Sequence, residues 1–133
     1  MLKRYLAHIM LAFGLLSSSF SMANTGQQFA YFTLEPELTT NFHTRGDRLG
    51  YIQVRIDIMV ASPAHLGLIE QHQPLIRDVV VEMLGKQNED TIRSLAGREN
   101  LRKLLVEEIN NILLPETGQT LIADLLFTKY IYQ

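Results

Sequence analysis

The stretch LGYIQVRIDIMVAS, residues 49–62, decides the fold. Within it Ile52, Val54, Ile56, Ile58 and Val60 alternate with Tyr51, Gln53, Arg55, Asp57 and Met59. A period of two over about ten residues is the pattern of a long strand in a sheet that buries one face and shows the other to water. The strand ends at Ser62-Pro63, which reads as a helix N-cap followed by proline at the first helical position, where a missing N–H costs nothing.

Upstream, HTRGDRLG at 43–50 is a turn-rich linker, with Gly46, Asp47 and Gly50 as its punctuation. Before it, FAYFTLEPELTTNF at 29–42 reads as one or two short extended pieces. They are interrupted by Pro36, which cannot donate to a sheet ladder, and so belong at an edge.

Downstream, a helix from about Pro63 to His72 must break near Pro74 and restart, because an internal proline removes a hydrogen bond and crowds the preceding turn. Leu75, Ile76, Val79, Val80, Met83 and Leu84 then recur at helical spacing, and Gly85 is placed to end that helix in a left-handed conformation. A short acidic helical turn, NEDTIRSL, precedes GRENLRKLLVEEINNILL, whose Leu101, Leu104, Leu105, Ile109, Ile112 and Leu113 make one apolar stripe. The opposite face carries both signs, with Glu99 four residues before Lys103, as suits a solvated surface. Pro115 and Gly118 are read as its end.

The segment TLIADLLFTKYIYQ closes as a strand, with Leu126, Thr128, Tyr130 and Tyr132 expected to face one way and Phe127, Lys129 and Ile131 the other. A terminal segment this rich in aromatics is expected to be paired inside the sheet rather than frayed. Strands, then helices, then a returning strand give an α+β fold: a small antiparallel sheet covered by helices on one face.

The chain of 133 residues suits one domain with a real core, and 47% hydrophobic with 20% charged residues is a globular balance. Twelve basic and 14 acidic side chains give a formal charge of −2, with the signs mixed. The longest basic feature is Lys3-Arg4, so nothing resembles the basic stripe of a nucleic-acid binder. Without cysteine there is no thiol catalysis, disulfide or thiolate metal site.

The first residues, MLKRYLAHIMLAFGLLSSSFSMANTGQQ, place Lys3 and Arg4 before an apolar run from about Tyr5 to Leu16 and then small polar residues. That order is an export signal, and Ser21-Met22-Ala23 offers a cleavage site after Ala23. The competing reading keeps residues 1–23 as a short membrane anchor, with the apolar stretch extended through Phe20 and Met22. Both readings export the rest of the chain, a linker over 24–28 and a folded part over 29–133. Cleavage would leave ten basic against 14 acidic side chains and a formal charge of −4.

No catalytic, cofactor or metal residues are assigned. His65 and His72 lie seven apart, about 10 Å along one helix, too far to share an ion whose ligands sit roughly 2 Å away. The phosphate-cradling and nucleophile-elbow glycine patterns are absent. The acidic pairs Glu35/Glu37, Glu89/Asp90 and Glu107/Glu108 have the residue type for acid-base work, yet neighbouring carboxylates are ordinarily solvated surface. Tyr31, Phe32, Phe127, Tyr130 and Tyr132 are either a recognition patch or, the favoured reading, ordinary packing across strands.

Three segments together resemble the FliL family of flagellar basal-body-associated proteins. HQPLIRDVVVEML at 72–84 is similar to its run of proline, apolar residue, Ile-Arg-Asp and apolar helix. LAGRENLRKLLVEEINNIL is similar to its Gly-(Lys/Arg)-x-x-Leu-(Arg/Lys) helix ending in Ile-Asn, and ADLLFTKYIYQ to its closing strand with Phe-Thr and a final glutamine. With the strand YIQVRIDI the resemblance covers about four-fifths of the chain. It implies a stomatin-like periplasmic domain, assembled as a homo-oligomeric ring around the flagellar stator units at the inner membrane and supporting flagellar rotation, motility and chemotaxis. Binding rather than catalysis is the implied mechanism, with no cofactor and no nucleic acid. The family usually carries a full membrane-spanning helix, from which the short apolar run here departs. A periplasmic scaffold for a non-flagellar membrane complex is the alternative.

Overall fold

Three strands, β1 (Ala30–Phe42), β2 (Gly50–Val60) and β3 (Ile122–Tyr132), form one antiparallel sheet in the order β1-β2-β3. This computed structural model describes Gly26 and residues 28–133, so the signal-or-anchor reading of residues 1–23 and most of the 24–28 linker lie outside the described residues. Between β2 and β3 run a 3-10 turn (Pro63–His65), α1 (Leu66–Gln71), α2 (Gln73–Gly85), α3 (Glu89–Arg93) and α4 (Leu95–Thr117). The helices cover one face of the sheet, as the order of elements predicts. No helix among the described residues is long and apolar enough to cross a membrane.

The alternation in β2 settles which face that is. Ile52, Val54, Ile56, Ile58 and Val60 are fully buried, whereas Tyr51 and Arg55 are exposed. Because β2 is central, its buried residues meet Leu34, Leu38 and Phe42 from β1 and Leu125 from β3 in one layer. The second layer is helical: Ile76, Val79, Val80 and Leu84 of α2 and Leu101, Leu105, Ile109 and Leu113 of α4. Each such side chain removed from water stabilises the fold by roughly 1.5–3 kcal/mol. Leu75 and Leu104, counted in the apolar stripes by spacing, lie at their margins and stay exposed.

Several sequence expectations hold in detail. The chain breaks at His72, and Pro74 enters the first turn of α2, where it displaces no helical hydrogen bond. Ser62 caps the 3-10 turn, accepting from the Ala64 amide. The last strand is paired to its end, with Tyr51 and Gln133 exchanging backbone hydrogen bonds of 3.0 and 2.9 Å.

Others need correction. β1 is one strand of 13 residues, and Pro36 does not divide it: Glu35, Pro36 and Glu37, joined by a cis Glu35–Pro36 bond, bulge opposite the single residue Arg55. Gly85 does not take the left-handed conformation; the chain leaves α2 through Lys86 in the helical region. Pro115 does not end α4, which runs on to Thr117 and closes on Gly118 at φ 70°. The amide that proline lacks would have served Asn111, an exposed residue with water at hand, so the helix tolerates it. In β3, Thr128 is an extra residue between the pairs Arg55–Lys129 and Ile56–Phe127. This bulge reverses the parity of the strand. Leu125, Phe127, Tyr130 and Tyr132 therefore share the helical side, and Leu126, Lys129 and Ile131 the open one.

Candidate interaction surface

The helix-free face of the sheet is built from the alternate residues of all three strands. Its centre is charged. Lys129 donates to Glu37 at 2.9 Å, Gln53 donates to Glu37 at 2.6 Å, and Arg55 lies 3.7 Å from both Glu35 and Glu37. The Lys129 hydrogen bond, helped by the charges of Lys129 and Arg55, holds the Glu37 carboxyl below its ordinary range. Thr33 donates to Asp57 at 2.7 Å in the same strip. The β1 and β3 bulges flank these groups, leaving a depression of about 540 Å³ lined by Thr33, Glu35, Glu37, Arg55, Asp57, Thr128 and Lys129. Exposed Tyr31 stands toward one end of the face, and Tyr51 with Ile131 at the other.

On the helical side, the aromatics of β3 pack along their own strand rather than across to β1. Phe127 meets Tyr130 edge to face with ring centroids 5.3 Å apart, and Tyr130 meets Tyr132 at 6.1 Å. Tyr130 donates its hydroxyl to the Ile92 carbonyl at 2.8 Å, which ties α3 to the sheet. Burial pushes its phenol up to about 12. The guanidinium of Arg98 sits 5.2 Å above the Tyr130 ring, and that of Arg93 5.4 Å above Tyr132. Of the aromatic set, Phe127, Tyr130 and half-buried Phe32 pack against the core, while Tyr31 is exposed on the open face.

The short helix α3 is held by Asn88, which accepts from the Thr91 amide at 2.9 Å, and Ser94 caps α4 from the Gly97 amide at the same distance. Gly97 is required there: a Cβ would lie 2.3 Å from the Thr91 carbonyl oxygen.

Four polar residues embedded in the helical segments singled out by sequence, Gln73, Arg77, Arg102 and Asn110, reach a strand edge. From α2, Arg77 donates to the Pro36 carbonyl at 2.5 Å and Gln73 to the Glu35 carbonyl at 2.9 Å. From α4, Asn110 donates to the Ile122 carbonyl at 2.9 Å and accepts from the Ile122 amide at 3.0 Å. Arg102 pairs with Asp124 and with Glu99, and these anions hold its guanidinium firmly charged while Glu99 is pulled below the usual carboxylate range. These residues clip helices to the sheet. Sequence reasoning gave them no such role, although Arg102 and Asn110 each follow a buried residue of the apolar stripe, Leu101 and Ile109, which was the available signal.

A family model for the flagellar basal body-associated protein FliL matches residues 31–133, from β1 to the end of β3. The chain belongs to the FliL family. Among curated proteins it is similar to the flagellar protein FliL of Aquifex aeolicus (strain VF5), with 30% identity over 83 residues, 62% of this chain and 49% of that protein. The chain thus spans about half the length of the curated relative it matches.

As a member of the FliL family it is flagellar basal-body-associated, and the residues weighed for chemistry fall into structural places. His65 lies in the 3-10 turn, and His72 at the α1–α2 junction has its Nδ1 2.8 Å from the Leu68 carbonyl. Among the described residues no three His, Asp or Glu side chains are grouped to hold a metal ion. Glu89 pairs with Arg93 at 2.9 Å and Asp90 with Arg45 at 2.6 Å, while Glu107 and Glu108 are exposed on α4. The sheet does not bring the acidic pairs together at one site.

Proposed function

We propose that this FliL-family chain is an exported accessory of the flagellar motor, working by binding rather than by chemistry. Its folded part, 29–133, lies in the periplasm at the inner membrane, contacts the periplasmic part of the stator and supports rotation, motility and chemotaxis. Copies assemble into a ring by a head-to-tail contact that closes on rotation. Residues 1–23 serve as an export signal or as a short anchor. The observation that carries the reading is the family match over the whole folded sheet-and-helix unit. The clipped helices and internally paired charges support it, since they describe a rigid body with surfaces to offer.

The test is a strain lacking the gene, assayed for swimming, swarming and motor torque under load. Reduced motility, restored by the gene in trans, is the expected result. Unchanged behaviour in all three assays would overturn the reading and favour a scaffold for a non-flagellar complex. Sequencing the N-terminus of the native protein in separated periplasm and membrane fractions decides between signal and anchor. A chain starting at Asn24 in the soluble fraction identifies a signal.

A further inference from the structure

A three-stranded sheet has two edges, and here their coverage differs. On β1 the α2 side chains Gln73 and Arg77 take the Glu35 and Pro36 carbonyls. On β3 the Asn110 amide satisfies both edge-facing groups of Ile122, as a neighbouring strand would, and Arg102 reaches the Leu125 carbonyl at 3.4 Å. Beyond Leu125 the covering stops. The Tyr51–Gln133 pair exchanges its hydrogen bonds inward, so by antiparallel alternation Ile131 and Lys129 also bond inward, toward β2. Tyr130 and Tyr132 then turn their backbone N–H and C=O outward, with no partner among the described residues.

We propose that this uncovered edge, Thr128–Tyr132, takes an extended acidic segment of a partner protein as a fourth strand. Strand addition supplies the missing main-chain hydrogen bonds, and the side-chain surroundings select the occupant. Arg98 and Arg93 stand over the Tyr130 and Tyr132 rings on the helical side, where Arg93 also pairs with Glu89, and Lys129, paired with Glu37, lies on the open side. Phe127–Gln133 contains no acidic residue, and of these three cations the one left without a carboxylate partner among the described residues is Arg98. Exposed Ile131 offers apolar contact on the open side, so the segment that fits alternates apolar with acidic side chains.

A second copy fits less well. On the β1 edge Thr39 and Asn41 also turn outward, but there α2 runs alongside, with Gly85 against the Asn41 carbonyl. The part away from α2 is at Tyr31 and Thr33, aligned with Met59 and Asp57, whereas Tyr130 and Tyr132 align with Val54 and Ile52. Bringing the two windows together takes a slide of about five residues, about 17 Å, which leaves most of both edges unpaired. The inference names the kind of contact through which the binding proposed above is made, and rests on that reading only for where the partner is met.

The experiment uses the purified chain labelled with ¹⁵N and a blocked nine-residue peptide alternating valine with glutamate. The amides of Tyr130 and Tyr132 exchange freely in the protein alone, and the peptide slows them at least tenfold. A lysine-for-glutamate peptide has at least tenfold weaker effect. Tyr132→Pro removes an outward N–H that the fold does not use together with the ring that meets Tyr130 and Arg93, so Tyr132→Ala, which loses the ring and keeps the N–H, is its control. Tm of the two agrees within a few degrees, and the protection at Tyr130 is lost only in Tyr132→Pro. No protection at millimolar peptide, protection at Tyr31 and Thr33 instead, or protection that rises with protein concentration alone overturns the inference. In cells, a chain carrying Tyr132→Pro fails to restore motility to the deletion strain. Full restoration by that variant overturns the edge inference and leaves the motor reading standing. A deletion strain unchanged in swimming, swarming and torque overturns the motor reading, and the peptide measurement still decides the edge.

Discussion

The two faces of the sheet are made by the same three strands, residue by residue in turn, yet they have opposite physics. On the covered face β2 buries five side chains completely. On the open face the same strand presents Tyr51, Gln53, Arg55, Asp57 and Met59, none of them fully buried, with its charges tied to neighbours on β1. Packing sets the fold on one side, and charge pairing on the other arranges a surface at little cost in stability. A face of this second kind is free to change with the partner it meets.

Substitutions can break this contrast at graded strengths. Ile56→Ala, between Leu34 and Phe127 at the sheet centre, is expected to lower unfolding free energy by about 2–5 kcal/mol in urea titrations. Thr39→Ala on the open face should stay within about 0.5 kcal/mol. A comparable loss in both would mean that the open face is packed after all.

Gly97→Ala drives a methyl group into the Thr91 carbonyl and should cost about 1–3 kcal/mol, with loss of the α3 contact visible as weakened Tyr130 and Tyr132 packing in near-ultraviolet dichroism. Asn110→Ala leaves the amide and carbonyl of buried Ile122 without their partner, for about 1–3 kcal/mol, and raises amide exchange at Ile122 specifically.

Alkali sharpens the contrast from the covered side. The Tyr130 phenol is raised from its ordinary value of 10.0 to about 12, so the folded state holds the proton more tightly than the unfolded one. The stabilisation is whole below pH 10 and is lost as pH rises toward 12, and Tyr130→Phe should flatten that decline.

The smallest effect belongs to Glu37, whose carboxyl is lowered by Lys129. Its contribution is present above the ordinary carboxylate range and disappears as pH falls through the depressed value. Glu37→Gln should shift the urea midpoint only slightly, and not at all in high salt.

Much of this was legible in the sequence because it depends on periodicity. The period of two in β2 named the buried face correctly, and the apolar stripe from Leu101 to Leu113 named the long helix. What periodicity could not carry was pairing. The bulge at Thr128 exists only relative to Arg55 and Ile56, so the parity of Tyr130 and Tyr132 could not be read from β3 alone. Local rules also gave way to context where they were applied singly: Pro115 stays inside a helix that Gly118 finishes, and Gly85 is an ordinary helical residue. The polar clips from Arg77, Arg102 and Asn110 were hidden for a related reason, since each acts on backbone remote in sequence. The candidate surface was legible only in part: the outward residues of β2 were named, but the uncovered edge depends on which hydrogen bonds face inward.

The sheet order has a mechanical consequence. β1 and β3 flank β2 and run in the same direction, so the first strand starts at one end of the sheet and the last finishes at the other. A pull between Ala30 and Tyr132 therefore acts along the strands, across hydrogen bonds that lie perpendicular to it. Such a load passes through the two ladders in series and loads all the rungs of each at once, in shear, instead of peeling them one rung at a time. A body tethered at its beginning and gripped near its end is thus stiffest along the line on which it would be stretched.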